Sequence, residues 1–353
     1  MNSQPALPNI DTTYMIDFLA RLLDTPSPTG FARQAMELVE QEIANHPEVK
    51  VEWTKKGSLL LTLPAETPTG PKRALTAHAD TLGAMVRQIK PSGRLELTEV
   101  GGFAWGSVEG ENCLVHTRHN GTIRGTILPH EASVHVYENV RDGKRDNHTM
   151  EVRLDEPVSN ADETRDLGIE VGDYVSFEPR VEVLNGFIKS RHLDDKACVA
   201  VIMAAFKSLH DANLKPAVDT CFLISNYEEV GHGGSSDIPE GVDELVALDM
   251  AAIGDGQASD EFHATICVKD AAGPYHYELS NKLRDLADSY QIPVIVDTYV
   301  HYSSDGKAYW RAGGDAAVAL IGPGVDSSHH YERTHTDALL DTSNWVLAYL
   351  LNA

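Results

Sequence analysis

Lys72-Arg73-Ala74-Leu75-Thr76-Ala77-His78-Ala79-Asp80 is a short apolar run that ends in a histidine and an aspartate. Residues 72–77 read as a strand. A strand that leads straight into H-x-D suits a metal ligand whose neighbouring carboxylate, Asp80, accepts the other imidazole N–H. By itself H-x-D also describes an ordinary surface pair, so the flanks carry the weight. On the amino-terminal side, residues 14–23 and 31–44 show apolar positions at helical spacing. The loop Thr25-Pro26-Ser27-Pro28-Thr29-Gly30 separates them, and residues 49–53 and 58–63 read as strands.

On the carboxyl side the period changes. From about residue 83 to 180 the chain runs in short alternating stretches, at 85–89, 95–97, 113–116, 122–128 and 133–137. Ser92-Gly93 and Asn120-Gly121 mark turns, and one short helix is expected at 160–168. That pattern belongs to a small barrel or sandwich. Helix and strand alternation resumes after Ile188. Residues 196–209, 274–290 and 341–351 read as helices; 220–226, 245–249, 262–268, 293–297 and 316–321 read as strands. The expected organisation is an α/β domain made of residues 1–82 and 184–353, with a β-rich domain, 83–183, inserted into it.

With 353 residues the chain has room for a large core, and a formal net charge of −24 argues against a nucleic-acid or anionic-membrane partner. Cys113, Cys198, Cys221 and Cys267 have no CxxC spacing, so neither a disulfide framework nor a cysteine-bound zinc is expected. The amino-terminal stretch MNSQPALPNIDTTYM has no basic segment followed by an apolar one, and no apolar run is long enough to span a bilayer. A cytoplasmic location is the expectation.

Four further fragments add acidic or imidazole groups, most of them just after apolar runs. Asp194 and Asp195 open the helix before Lys196, which suits either helix capping or a carboxylate shared between two cations. Glu228 and Glu229 follow a buried strand, where adjacent side chains point in different directions, so one can bind metal while the other faces water. Asp249 ends the strand at 245–249, and in open α/β sheets ligands bind at carboxyl ends of strands. His329, His330 and His335 follow the last strand, and any one of them could close a second metal site. No Gly-rich phosphate loop or G-x-S-x-G is present, so serine and cysteine nucleophile classes lack their local signatures.

In order and spacing these fragments resemble the tetrahedral aminopeptidases, the deblocking and glutamyl aminopeptidase family of two-metal cytoplasmic exopeptidases, some of which carry the name endoglucanase. The likeness extends to Gly101-Gly102, Gly125-Thr126-Ile127, Leu167-Gly168-Ile169-Glu170-Val171-Gly172-Asp173 and Asn185-Gly186. It implies a mixed-sheet metallo-exopeptidase domain with helices on both faces and an inserted, barrel-like dimerisation domain. It also implies two divalent ions, zinc or else cobalt or manganese, with His78, Asp194 and Asp249 on one and Asp194, Glu229 and a late histidine on the other. Glu228 is then the general base for a metal-bridging water, with Asp80 beside it, and the substrate is a short peptide with a free amino terminus. Assembly is implied to run from a dimer up to a tetrahedral dodecamer.

Two departures stand out. Ser303-Ser304-Asp305 replaces the family's Gly-Gly-Thr-Asp, with Gly313-Gly314-Asp315 nearby, and the stretch 327–335 replaces Arg-Tyr-x-His-Ser. Counting from Asp305 favours His329 as the last ligand, with His335 the rival. The departures resemble the branch linked to a dipeptide-type osmoprotectant, which implies a modified dipeptide as substrate. A two-metal deacylase acting on N-acyl amino acids would use the same ligands. A glycosidase would need opposed carboxylates without the histidines, and a binding protein that has lost catalysis would be expected to lack Glu228 or a metal ligand.

Overall fold

The computed structural model describes residues 6–68 and 72–353; the first five residues of the stretch searched for a leader lie outside the described residues. The strand read at 72–77 is Arg73–His78, and it lies inside a ten-stranded mixed sheet. Its two neighbours, Thr220–Ser225 and Glu244–Leu248, both run parallel to it, and Ala317–Val325 is parallel to Glu244–Leu248. Four consecutive strands therefore end on the same edge of the sheet. Arg73–His78 and Thr220–Ser225 are buried along their whole length, which explains near-continuous apolar runs in place of alternation. Leu59–Leu63 adds an antiparallel strand outside Thr220–Ser225, and Ala264–Asp270 does so outside Ala317–Val325.

The two faces of the sheet are covered unequally. Leu75, Ala77, Phe222, Ile224, Val246 and Leu248 pack under the long helices Thr12–Leu23, Leu193–Asp211 and Thr336–Leu351. Their alternating neighbours Ala74, Cys221, Leu245 and Ala247 face Tyr275, Tyr302, Tyr309 and Trp310, and the helix on that side, Asp305–Arg311, is short.

Between Arg73–His78 and Leu193–Asp211 the chain forms a closed six-stranded barrel: Gly83–Ile89, Leu95–Val100, Met150–Leu154, Thr122–Pro129, Asn112–His116 and Tyr174–Phe177. It has its own core, with Val86, Leu97, Trp105, Val115 and Val152 buried. The strand expected at 133–137 is not formed. Val134 and Val136 are 60% and 70% exposed, so their alternation marks no buried face. Backbone N–H groups of Val136 and Tyr137 bond back to Ser133 in turns.

A small antiparallel sheet, absent from the sequence expectation, joins Glu182–Leu184 and Phe187–Ser190 to Glu332–His335. Its hairpin turns at Asn185-Gly186, both in the left-handed region (φ 54° and 83°), as a two-residue turn of this kind requires. All four cysteines are free and buried. No helix among the described residues is long and apolar enough to cross a membrane.

Candidate metal centre

The common edge of the four parallel strands gathers the chemistry. His78 is the last residue of its strand, Glu228 and Glu229 lie in the turn after Thr220–Ser225, Asp249 follows Glu244–Leu248, and His329 lies in the turn after Ala317–Val325. Asp194 arrives from the side, at the start of Leu193–Asp211. Its peptide bond to Asp195 is cis, and Asp194 and Asp195 are non-helical.

Asp194 offers one oxygen to each of two imidazoles: Oδ1 lies 3.1 Å from His78 Nε2 and Oδ2 lies 3.3 Å from His329 Nε2. His329 Nε2 is also 3.4 Å from Glu229 Oε2. Two donor triplets result, His78–Asp194–Asp249 and Asp194–Glu229–His329, each with ligand atoms within 4.8 Å of one another. Glu228 belongs to neither, although its Oε2 lies 3.7 Å from His78 Nε2.

Each imidazole is oriented through its other nitrogen, as metal-binding histidines usually are. His78 Nδ1 lies 2.9 Å from the main-chain oxygen of Asp80, and His329 Nδ1 lies 2.6 Å from the main-chain oxygen of Gly102. This corrects the expectation that the Asp80 carboxylate takes the His78 N–H; the nearer carboxylate oxygen is 3.8 Å away. That carboxylate instead accepts from Thr29 Oγ1 and from the backbone N–H groups of Glu228 and Glu229, and so fixes their turn.

His335 is elsewhere. In Glu332–His335 the burial alternates, so Glu332 and Thr334 face inward while Arg333 and His335 face the other way. His335 lies between Phe187 and Phe262 and caps the helix Thr336–Leu351 by accepting from Asp337 N–H. His330 accepts from the N–H of Tyr331.

The inward Glu332 was not singled out from sequence. Its Oε2 accepts from the N–H of Asp194 and its Oε1 from the N–H of His329, at 3.1 and 2.9 Å. One buried carboxylate thereby sets both the bridging residue and the last imidazole. Buried Arg191 donates to the main-chain oxygens of Ser107 and His330, tying the barrel to the His329 turn. Asp305 accepts from Ser225 and from the N–H of Gly234, bracing the turn that carries Glu228. No local sequence signal marks Glu332, because Glu-Arg-Thr-His has no apolar alternation and only the pairing with Phe187–Ser190 sets which residues face inward.

The electrostatics of the pocket point to the charge it would bind. Burial, with Asp194 nearby, pushes Asp249 well above the carboxylate range; burial likewise raises Glu228, reinforced by Asp249 and Asp305. Burial takes Glu229 and Glu332 to about 8 each. Asp194 is the exception, because hydrogen bonds from His329 and His78 overcome burial and hold it low. Burial opposes a charge on His329, yet the hydrogen bond to Asp194 and the charge of Glu229 raise it to about 10. Carboxylates this crowded call for positive charge, and two imidazole–carboxylate triplets sharing one aspartate are a donor set that divalent cations fit. Asp194, Glu228, Glu229, Asp249 and His329 line a cleft of about 660 Å³ that also holds Gln257, Tyr299, Val300, His301 and Tyr302.

Two imidazole–carboxylate triplets thus lie at the carboxyl ends of parallel strands in a mixed α/β sheet, beside a closed barrel, the layout of a metal-dependent hydrolase. The sequence model of the M42 glutamyl aminopeptidase family matches residues 57–344, and the chain belongs to that family; it is a hydrolase that acts as an aminopeptidase. It is 46% identical over 338 residues to the putative aminopeptidase YhfE of Bacillus subtilis, covering 95% of this chain and 96% of that one. Among solved structures it resembles aminopeptidase APDkam598 from Desulfurococcus kamchatkensis, with TM-score 0.86 and 20% identity over 97% of this chain and 96% of that one. The Pyrococcus horikoshii TET1 peptidase is similar too, with TM-score 0.84 and 20% identity over 96% of this chain and all of that one (100%).

Proposed function

We propose that the protein is a metal-dependent aminopeptidase that removes the amino-terminal residue of short peptides. The observation that carries this is the position of Asp194, one oxygen toward each imidazole. His78, Asp194 and Asp249 would hold one cation, and Asp194, Glu229 and His329 the second. Zinc, cobalt or manganese bound in these places would supply Lewis-acid polarisation of a carbonyl and would lower the pKa of water. Glu228 faces the same cleft outside both triplets, with 12% of its side chain exposed. It takes the proton of the attacking water and hands it to the leaving amine nitrogen. Asp80 positions Glu228 through the backbone and does not touch the substrate.

A free amino terminus would bind at or near one of the two cations, which favours a free peptide over an N-acyl compound. Tyr299, Val300 and Tyr302 offer an apolar surface for the first side chain. A modified dipeptide falls within the same substrate class. The division into a catalytic part, 1–82 and 184–353, and an inserted part, 83–183, gives the barrel the role of joining copies. Its exposed Val134 and Val136 support this, as does a relative described as assembling into a tetrahedron or a large octahedral shell. Four free thiols fit a reducing cytoplasm.

The test compares free-amine, N-acetylated and modified dipeptides before and after chelation. Hydrolysis of free-amine peptides should vanish with chelator and return with zinc, cobalt or manganese. Full activity in the chelated enzyme, or a preference for the acetylated series, would sink the proposal.

A further inference from the structure

We propose that His46, Glu48 and His210 form a separate peripheral site for a divalent transition-metal cation, zinc by donor type. His46 and Glu48 lie in the connection between the helix Arg33–Ile43 and the strand Lys50–Trp53, and His210 lies in the last turn of Leu193–Asp211. One ligand atom from each lies within 4.8 Å of the other two. Two nitrogen donors and a carboxylate, with a fourth position left to solvent, form a donor set that zinc accepts.

The Glu48–His210 contact alone has a plain explanation. Its Nδ1 lies 3.1 and 3.2 Å from the two carboxylate oxygens, and a half-exposed pair of this kind is common on surfaces. That explanation leaves out His46. His46 is only 4% exposed, yet its Nδ1 is buried with no hydrogen-bond partner among the described residues. The same nitrogen is aimed at the cluster, 4.0 Å from Glu48 Oε1, and the two imidazoles stand edge to face at 5.3 Å.

A buried imidazole nitrogen aimed at a carboxylate and a second imidazole is placed to serve as a cation donor. Asp211 and Glu42 act on His46 from nearby, but Asp211 is engaged by Lys207 at 2.6 Å. His210 is 43% and Glu48 30% exposed, which leaves an entry path from solvent.

The position gives the site its meaning. Asp194 lies at the start of Leu193–Asp211 and His210 in its last turn, roughly 20 Å away along the helix axis. A cation here fastens the 44–49 connection to the far end of that helix without touching the cleft.

Metal-stripped full-length protein loaded with zinc chloride tests this. Wild type should retain one more zinc per chain after gel filtration than His210→Ala, and than Glu48→Gln if His210→Ala does not fold. A zinc-edge anomalous peak should lie between the three side chains, and zinc should raise the melting temperature of wild type more than that of either variant. Peptide hydrolysis by His210→Ala should stay unchanged. Equal zinc content in wild type and folded variants, or no anomalous peak at this cluster when the catalytic triplets are filled, would overturn the proposal.

Discussion

His329 Nδ1 lies 2.6 Å from the main-chain oxygen of Gly102, so a residue between two strands of the barrel orients an imidazole on the sheet edge. The barrel is therefore part of how the second triplet is held, whatever else it contacts.

The neighbouring glycines allow this link to be probed by two small changes. A Cβ on Gly101, which has φ 78°, would lie 2.6 Å from Leu82 Cδ2 and 3.5 Å from Glu229 Cβ, whereas a Cβ on Gly102 meets nothing within 4 Å among the described residues. Gly101→Ala is expected to lower activity by about 10-fold or more, through displacement of groups that orient ligands. Gly102→Ala should stay near wild type. Steady-state kinetics with an aminoacyl anilide separates the two, and equal rates would count against the link.

His329→Ala should reduce affinity for one of two bound cations by at least about 100-fold and abolish turnover. His335→Ala should retain both cations and lose only helix-cap stability, about 1 kcal/mol. Metal content by mass spectrometry and urea melts measure both. Loss of metal in the His335 variant would reverse the assignment.

Glu228→Gln should cut kcat by about 10²- to 10⁴-fold, the usual contribution of a positioned general base. Because Glu228 lies outside both triplets, metal content should be unchanged. A drop in metal stoichiometry instead would recast Glu228 as a ligand.

His116 provides a pH signature away from the cleft. Its Nε2 meets Ser176 Oγ at 2.8 Å, Phe31 packs on its ring, and burial lowers it from 6.5 to about 4. Between those values the unfolded chain takes up a proton that the folded chain refuses. Its contribution is therefore complete above pH 6.5 and lost as pH falls toward 4, at most about 3 kcal/mol. His116→Gln should flatten the fall in urea midpoint between pH 7.5 and 5; an unchanged slope would refute this.

The sequence made the sheet-edge fragments legible because strands buried on both faces leave continuous apolar runs, and each run here stops at a ligand-type residue. His78, Asp249 and the Glu228-Glu229 pair are all of this kind. It was weaker where position depends on distant pairing. Whether His329 or His335 enters the site is decided by Phe187–Ser190 pairing with Glu332–His335, a register that no local pattern announces. Glu332 was hidden for the same reason. The alternation at 133–137 misled because Val134 and Val136 have no sheet to face.

The first and last strands of the barrel are neighbours, with Ala84 opposite Val175. The chain thus leaves the α/β part and returns to it about one strand spacing away, near 5 Å. Once the barrel has closed, its many residues act as a very short tether. The entropy of bringing Thr220–Ser225 alongside Arg73–His78 is then that of a much smaller loop. Early closure of the barrel should accordingly speed assembly of the catalytic edge, since loop closure limits how fast distant strands pair.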